Sequence, residues 1–122
     1  MAFDEQLARR MRDALGGLPN VEEKRMMGGA CFMIDGNMIG GAHRDRKSGE
    51  GLFMFRVGKQ SEAEALAHPG TTPMIHAGRK FGGFIHAPEK TADPAFADLL
   101  SLSLAYVGTL PPKPAKTRKA KP

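Results

Sequence analysis

The sequence has no tryptophan, one tyrosine and one cysteine among its 122 residues. A single cysteine excludes an internal disulfide and suits a reducing compartment. No apolar run approaches the ~20 residues that a membrane-spanning helix needs, and the charged N-terminal stretch lacks the apolar core of a secretory signal peptide. These absences predict a cytoplasmic protein with no membrane partner. A chain of this length can bury a core without disulfides, so we predict one domain.

Acidic residues are missing from positions 111–122, which carry five basic residues and four prolines. The other 110 residues hold 13 basic and 13 acidic side chains, so the net charge of +5 belongs to this C-terminal stretch. Its prolines disfavour a helix and its composition offers nothing to bury. We therefore predict a folded domain over 1–110 and a disordered basic tail over 111–122. The tail's candidate nucleic-acid contacts are Lys113, Lys116, Arg118, Lys119 and Lys121.

Residues 24–43 contain four methionines and the cysteine. Within them, Asp35-Gly36 separates two apolar runs, which predicts a two-residue hairpin turn. Paired residues across a hairpin share a face, so one face is predicted to hold Ala30, Phe32 and Ile39. The other face is predicted to hold Met27, Cys31, Met33 and Met38. Because methionine adapts to varied partners, Met27, Met33 and Met38 are the candidate protein-interaction residues.

The remaining patterns predict the element order α-β-β-β-α-β-β-α. An apolar helical stripe marks a first helix over 3–15, and a second stripe marks a last helix near 94–109. Between them lie the hairpin, a strand at 52–57, a short helix near 60–67 and two strands near 74–76 and 81–86. Short links and hairpins favour a mostly antiparallel sheet. We therefore predict a two-layer α+β fold with about five strands.

A nucleophilic Cys31 would need a base within hydrogen-bond reach. In the predicted register His43 lies on the opposite face and about 10 Å further along the strand, so a buried, unreactive thiol is the favoured interpretation. The four histidines show no metal-ligand spacing. We therefore predict no catalytic residue and no metal site.

Two ligand-binding motifs are matched only in part. Residues 41–48, GAHRDRKS, end like a phosphate loop, but Arg46 stands where that loop needs glycine. Residues 79–87, RKFGGFIHA, lack aromatics that an RNA-recognition strand requires. Neither match supports a site, so we predict no cofactor.

Several motifs occur in a fixed order: EKRMMGGACFMIDGNMIGG, LFMFRVGKQ, HPGTTPM and AGRKFGGF. They follow the predicted first helix, which begins with FDEQLA. Together these motifs resemble the TfoX N-terminal domain family, also called Sxy, over about residues 2–110. The resemblance rests on the K-x-M-x-G-G-x-x-F-M core, the R-V-G step at 56–58, the P-G pair at 69–70 and the G-R-x-x-x-G-F stretch at 78–84. It implies a two-layer fold with an antiparallel sheet and a bacterial, cytoplasmic origin. It supplies no family catalytic residues.

The namesake regulators of that family promote expression of competence genes and carry a second, helical C-terminal domain. From the resemblance we expect this chain to be a small stand-alone member that carries the basic tail in place of that domain. We expect a non-enzymatic regulatory or adaptor module that acts through protein contacts, in transcriptional or competence-type regulation. Homodimerisation through Met33 and Met38 is left open. The alternatives are a weak nonspecific nucleic-acid binder that uses the tail, and an enzyme of unknown type that uses Cys31 or a histidine.

Overall fold

The structure, a computed structural model, describes residues 4–26, 29–45 and 47–112. Over these residues the chain forms three α-helices, a 3₁₀ turn at Lys59–Ser61 and six strands. The elements are α1 Glu5–Ala14, β1 Val21–Met26, β2 Gly29–Ile34, β3 Asn37–Arg44, β4 Gly51–Arg56, α2 Glu62–Leu66, β5 Thr72–His76, β6 Arg79–Pro88 and α3 Asp93–Val107. No helix in this part of the chain is long and apolar enough to cross a membrane.

All strand pairs in the sheet are antiparallel, and the strand order is β1-β2-β3-β4-β6-β5. The α+β class and the antiparallel sheet are confirmed. The described sheet has six strands where about five were predicted, because β1, VEEKRM, also joins it. This strand carries charged residues without the apolar alternation that marks a strand, a composition typical of an exposed sheet edge.

The β2–β3 hairpin turns at Asp35-Gly36, as predicted. Met33 pairs with Met38 as expected, but the register shifts between Phe32 and Met33, and Cys31 then pairs with Gly41 instead of Gly40. A one-residue shift moves every side chain beyond it to the other face. The predicted placement of His43 opposite the Cys31 face is therefore wrong, since both residues lie on the same face.

Helices α1 and α3 cover one face of the sheet. On this covered face, the rings of Phe53 and Phe55 contact Phe96 of α3 edge to face, with centroid distances of 4.9 and 5.3 Å. The Arg10 guanidinium of α1 lies 4.3 Å above the centroid of the Phe96 ring. The core between the two layers includes Met11, Leu15, Phe32, Ile39, Phe53, Phe55, Ile85 and Leu99.

The start of α1 is held to the sheet by charge. Asp4 caps the helix by accepting a hydrogen bond from the Leu7 N–H at 3.1 Å. Arg44 of β3 donates to Asp4 at 2.9 Å and to Glu89 at 2.9 Å. One arginine thus connects α1, β3 and the end of β6.

Candidate functional site

A cleft of about 700 Å³ opens where β4 leaves the sheet. The end of β4, the following 3₁₀ turn, β6 and the C-terminal part of α3 bound it. Pockets that bind small molecules have volumes of this order. The residues that give the cleft its shape and charge are Arg56, Gly58, Lys59, Gly83, Phe84 and Tyr106.

Two glycines with positive φ shape the cleft. Gly58 has φ 86° and ψ 153°, a region open essentially to glycine alone, and Gly83 has φ 85°. The Val57 and Gly58 N–H groups both donate to the Gly83 carbonyl, at 2.9 and 3.0 Å. A Cβ at Gly58 would lie 2.5 Å from Cδ1 of Tyr106. Glycine therefore lets the β4 end pair with β6 while the tyrosine ring packs directly on the backbone.

Arg56 lies between two aromatic rings in this cleft. Its Cζ is 5.6 Å from the Phe84 ring centroid and 5.5 Å from the Tyr106 ring centroid. Its Nη1 donates to the Met38 carbonyl at 3.3 Å. Among the described lining residues, the other charged side chain is that of Lys59, which is exposed, so the two charged groups identified in the lining are cations.

One carboxylate, that of Glu62, lies just outside the residues that line the cleft. Glu62 of α2 is 13% exposed, and its Oε1 accepts from the Gly83 N–H at 3.4 Å. Lys80 Nζ lies 3.1 Å from Oε2, close enough for an ion pair but without hydrogen-bond geometry. This carboxylate is therefore already opposed by its own cation, Lys80.

The sheet face away from α1 and α3, here called the open face, has a regular pattern. Along β4 and the C-terminal half of β6, side chains alternate between buried, toward the helices, and half-buried, on the open face. The half-buried members include Leu52, Met54, Phe84 and His86. Because Gly41 has no side chain, the Met54 side chain can lie over it. The Met54 Cε is 3.5 Å from the position that a Cβ on residue 41 would occupy. The result is a largely apolar surface bordered by Arg56.

His43 and His86 meet on the open face, with ring centroids 5.9 Å apart and ring planes at 70°. Burial lowers the pKa of both imidazoles; Asp45 partly offsets this for His43, and His43 lowers the pKa of His86 further. Sequence reasoning missed this pair because β3 and β6 are separated by β4. Among the described residues, no group of three or more His, Cys, Asp or Glu side chains is placed to hold a metal ion.

Cys31 is 9% exposed, and burial raises the pKa of its thiol. A nucleophilic cysteine needs the opposite shift. Although the bulge brings His43 to the same face, no hydrogen bond within the described residues joins the thiol to a histidine. The expected environment of a buried thiol is confirmed, while the geometric reason first given for it was wrong.

The predicted interaction residues fall in different places. Met33 is 8% exposed and Met38 is half-buried, and they pair beside the hairpin bulge. Because the Met38 carbonyl accepts from Arg56, this pair adjoins the cleft. Met27 and the tail cations at 113–121 lie outside the described residues. The cleft itself was not predicted, although two of its segments had been singled out as sequence motifs.

Those two motifs, R-V-G at 56–58 and the G-R-x-x-x-G-F stretch at 78–84, converge on the cleft from β4 and β6. The sequence model for the TfoX N-terminal domain matches residues 13–105. The chain belongs to the TfoX N-terminal domain family. Comparisons with curated proteins and with solved structures gave no match. In this member of the TfoX N-terminal family, the family match includes both cleft motifs and most of α3, and it stops just before Tyr106.

Proposed function

We propose that this chain is a regulatory or adaptor module that acts by binding another protein through its open face. The observation that supports this most is the asymmetry of the sheet, since the described helices pack on one side only. Met38, Leu52, Met54 and Phe84 remain partly exposed on the other side. An apolar surface bordered by a cation is typical of a protein contact.

Membership of the TfoX N-terminal family supports a regulatory role of the competence type at family level. The state of the chain's reactive groups favours contact over catalysis. The Cys31 thiol has a raised pKa, and His43 and His86 have lowered ones, all through burial. A raised pKa keeps the thiolate fraction of Cys31 low, which suits a packed side chain better than a nucleophile.

Site-specific photo-crosslinking in cells of the source organism tests this proposal. Benzoylphenylalanine is placed at Met54 and, separately, at Leu52 on the open face. The matched control is the same group at Ala97, an exposed position of α3 on the helix side. We expect one discrete crosslinked product common to both open-face positions and absent at the control. The protein in that product should bind the purified chain, and Met54→Glu should weaken that binding at least tenfold.

Three outcomes would overturn the proposal. The first is that one or both of the open-face positions give no discrete crosslinked product. The second is the same product from Ala97, which would place the contact elsewhere. The third is a product of twice the chain's own mass, which would make the open face a homodimer interface.

The second candidate function is weak nonspecific nucleic-acid binding through the tail, favoured by five cations without an acid at 111–122. Fluorescence anisotropy with short DNA and RNA duplexes across a salt series tests it. Full-length chains with and without glutamine at the five basic tail positions are compared. Tail binding should give a log–log salt slope of magnitude about 4–5 on DNA that disappears in the neutralised variant. Equal binding by both chains would contradict it.

A further inference from the structure

We infer that the cleft beside Arg56 binds a carboxylate group presented by a partner protein, from an acidic side chain or a chain terminus. This inference rests on the proposed function and specifies a chemical group, a carboxylate, that the partner must present. Three features carry it: the free donors of Arg56, the aromatic walls that hold it, and the charge of the cleft.

Arg56 has more hydrogen-bond donors than its contact with the Met38 carbonyl uses. A guanidinium carries five N–H groups in a planar fork, and one nitrogen, Nη1, donates to the Met38 carbonyl at 3.3 Å. No carboxylate among the described residues pairs with Arg56, whereas Arg12 and Arg44 each form ion pairs with two carboxylates. Arg56 lines a cleft of about 700 Å³, a volume large enough for a side chain.

The rings of Phe84 and Tyr106 limit the orientations of the guanidinium. Both centroids lie under 6 Å from Cζ, within cation–π range. A guanidinium that is already oriented loses less conformational freedom when it binds an anion. Its planar fork matches a carboxylate in a two-bond arrangement, and the ring walls suit the methylene groups that carry that carboxylate.

The charge of the cleft favours an anion. Within the part of the lining that the structure describes, the charged residues are Arg56 and Lys59. The adjacent Glu62 does not neutralise them, because it contacts Lys80 and the Gly83 N–H.

Nuclear magnetic resonance titration of the full-length, ¹⁵N-labelled chain tests the inference with four probes. N-acetylglutamate α-amide presents a side-chain carboxylate, and N-acetylalanine presents a terminal one. N-acetylglutamine α-amide is the neutral isostere, and inorganic phosphate is the competing oxyanion. We expect saturable shifts at the amides of Gly58, Gly82 and Gly83 with a Kd of roughly 1–10 mM. At least one carboxylate probe should bind at least tenfold more tightly than the neutral isostere, and the better of the two identifies the source of the carboxylate.

Variants connect binding to the cleft. Arg56→Gln should abolish the carboxylate-dependent shifts, and Arg56→Lys should weaken binding because it keeps the charge and loses the fork. Lys90→Gln is the matched control, since it removes the same charge at an exposed position outside the cleft lining. If thermal unfolding reveals that Arg56→Gln no longer folds, Lys59→Gln replaces it, with an expected severalfold loss of affinity.

Equal binding of the acid and its neutral isostere would overturn the inference, as would tighter binding of phosphate than of either carboxylate. Unchanged binding in the folded Arg56→Gln chain, or in Lys59→Gln where that variant replaces it, would do the same. These failures differ from failure of the proposed function. If the cleft binds no carboxylate but the proposed function holds, crosslinks from Met54 would persist, and only the inferred chemical group of the partner would be wrong. Without a protein partner, the crosslinks would vanish while the small acids still bound.

Discussion

The imidazole rings of His43 and His86 meet edge to face with their centroids 5.9 Å apart, although their strands do not pair with each other. Burial lowers the pKa of each ring, so protonation is less favourable in the folded chain than in the unfolded one. This pair links the free energy of unfolding of the chain to pH.

The free energy of unfolding should therefore fall as pH drops below about 6.5, the ordinary histidine value, because the unfolded chain binds protons more readily. The loss should continue until the pH passes below the two folded-state pKa values. Urea unfolding at pH 7.5, 6.5 and 5.5 measures it. The change over this range should be smaller for a His43→Gln/His86→Gln chain. The same pH dependence in both chains would contradict the prediction.

A separate acidic transition should come from the α1 cap. Hydrogen bonds from Leu7 and Arg44 lower the pKa of Asp4, and Arg44 lowers that of Glu89. Stability from these carboxylates is present above their ordinary pKa values of about 4 and is lost as pH falls through the lower folded values. Unfolding measured from pH 5 to pH 2 should become less pH-dependent in an Asp4→Asn chain, and an unaltered profile would contradict this assignment.

The thiol of Cys31 should react slowly in the native chain. It is 9% exposed, and burial raises its pKa, so both access and the thiolate fraction are reduced. With a disulfide reagent at pH 8, we expect a rate at least tenfold below that of the same chain in urea. A native rate equal to the unfolded rate would mean that the thiol is accessible, and would reopen a nucleophilic role.

Alanine at Gly58 should destabilise the chain by about 2–4 kcal/mol, because it combines a disfavoured backbone conformation with a Cβ 2.5 Å from the Tyr106 ring. Gly49 provides the matched control. It also has positive φ, at 74°, but a Cβ there would meet no atom within 4 Å. Gly49→Ala should therefore cost about 1 kcal/mol. Equal losses in thermal unfolding would mean that ring packing on Gly58 contributes little.

Truncation of Phe32 to alanine should leave a cavity beneath the hairpin and cost about 3–5 kcal/mol, since the ring is fully buried. Leu18→Ala is the control, because Leu18 is 40% exposed and should change the free energy of unfolding by less than about 1 kcal/mol. Chemical denaturation of both variants measures this. A negligible change for Phe32→Ala would contradict its assignment to the covered face.

Local sequence patterns predicted much of the fold. Asp35-Gly36 favours a tight turn through its own backbone preferences, and periodic apolar residues mark α1 and α3 without reference to distant segments. Strand β1 was not predicted, because its pairing with β2 and the Arg12–Glu23 ion pair hold it in place, and its own residues carry little strand signal. Local preference is weak evidence for an edge strand.

The sequence by itself determined the Asp35-Gly36 turn, the helical stripes and the motifs that identify the TfoX N-terminal family, because each depends on neighbouring residues. Tertiary structure alone decided the hairpin bulge, which moved His43 to the Cys31 face. It also brought His43 to His86, and placed Arg56 between Phe84 and Tyr106. Those contacts depend on strand order and on where α3 ends, and both are set by packing between segments far apart in the chain.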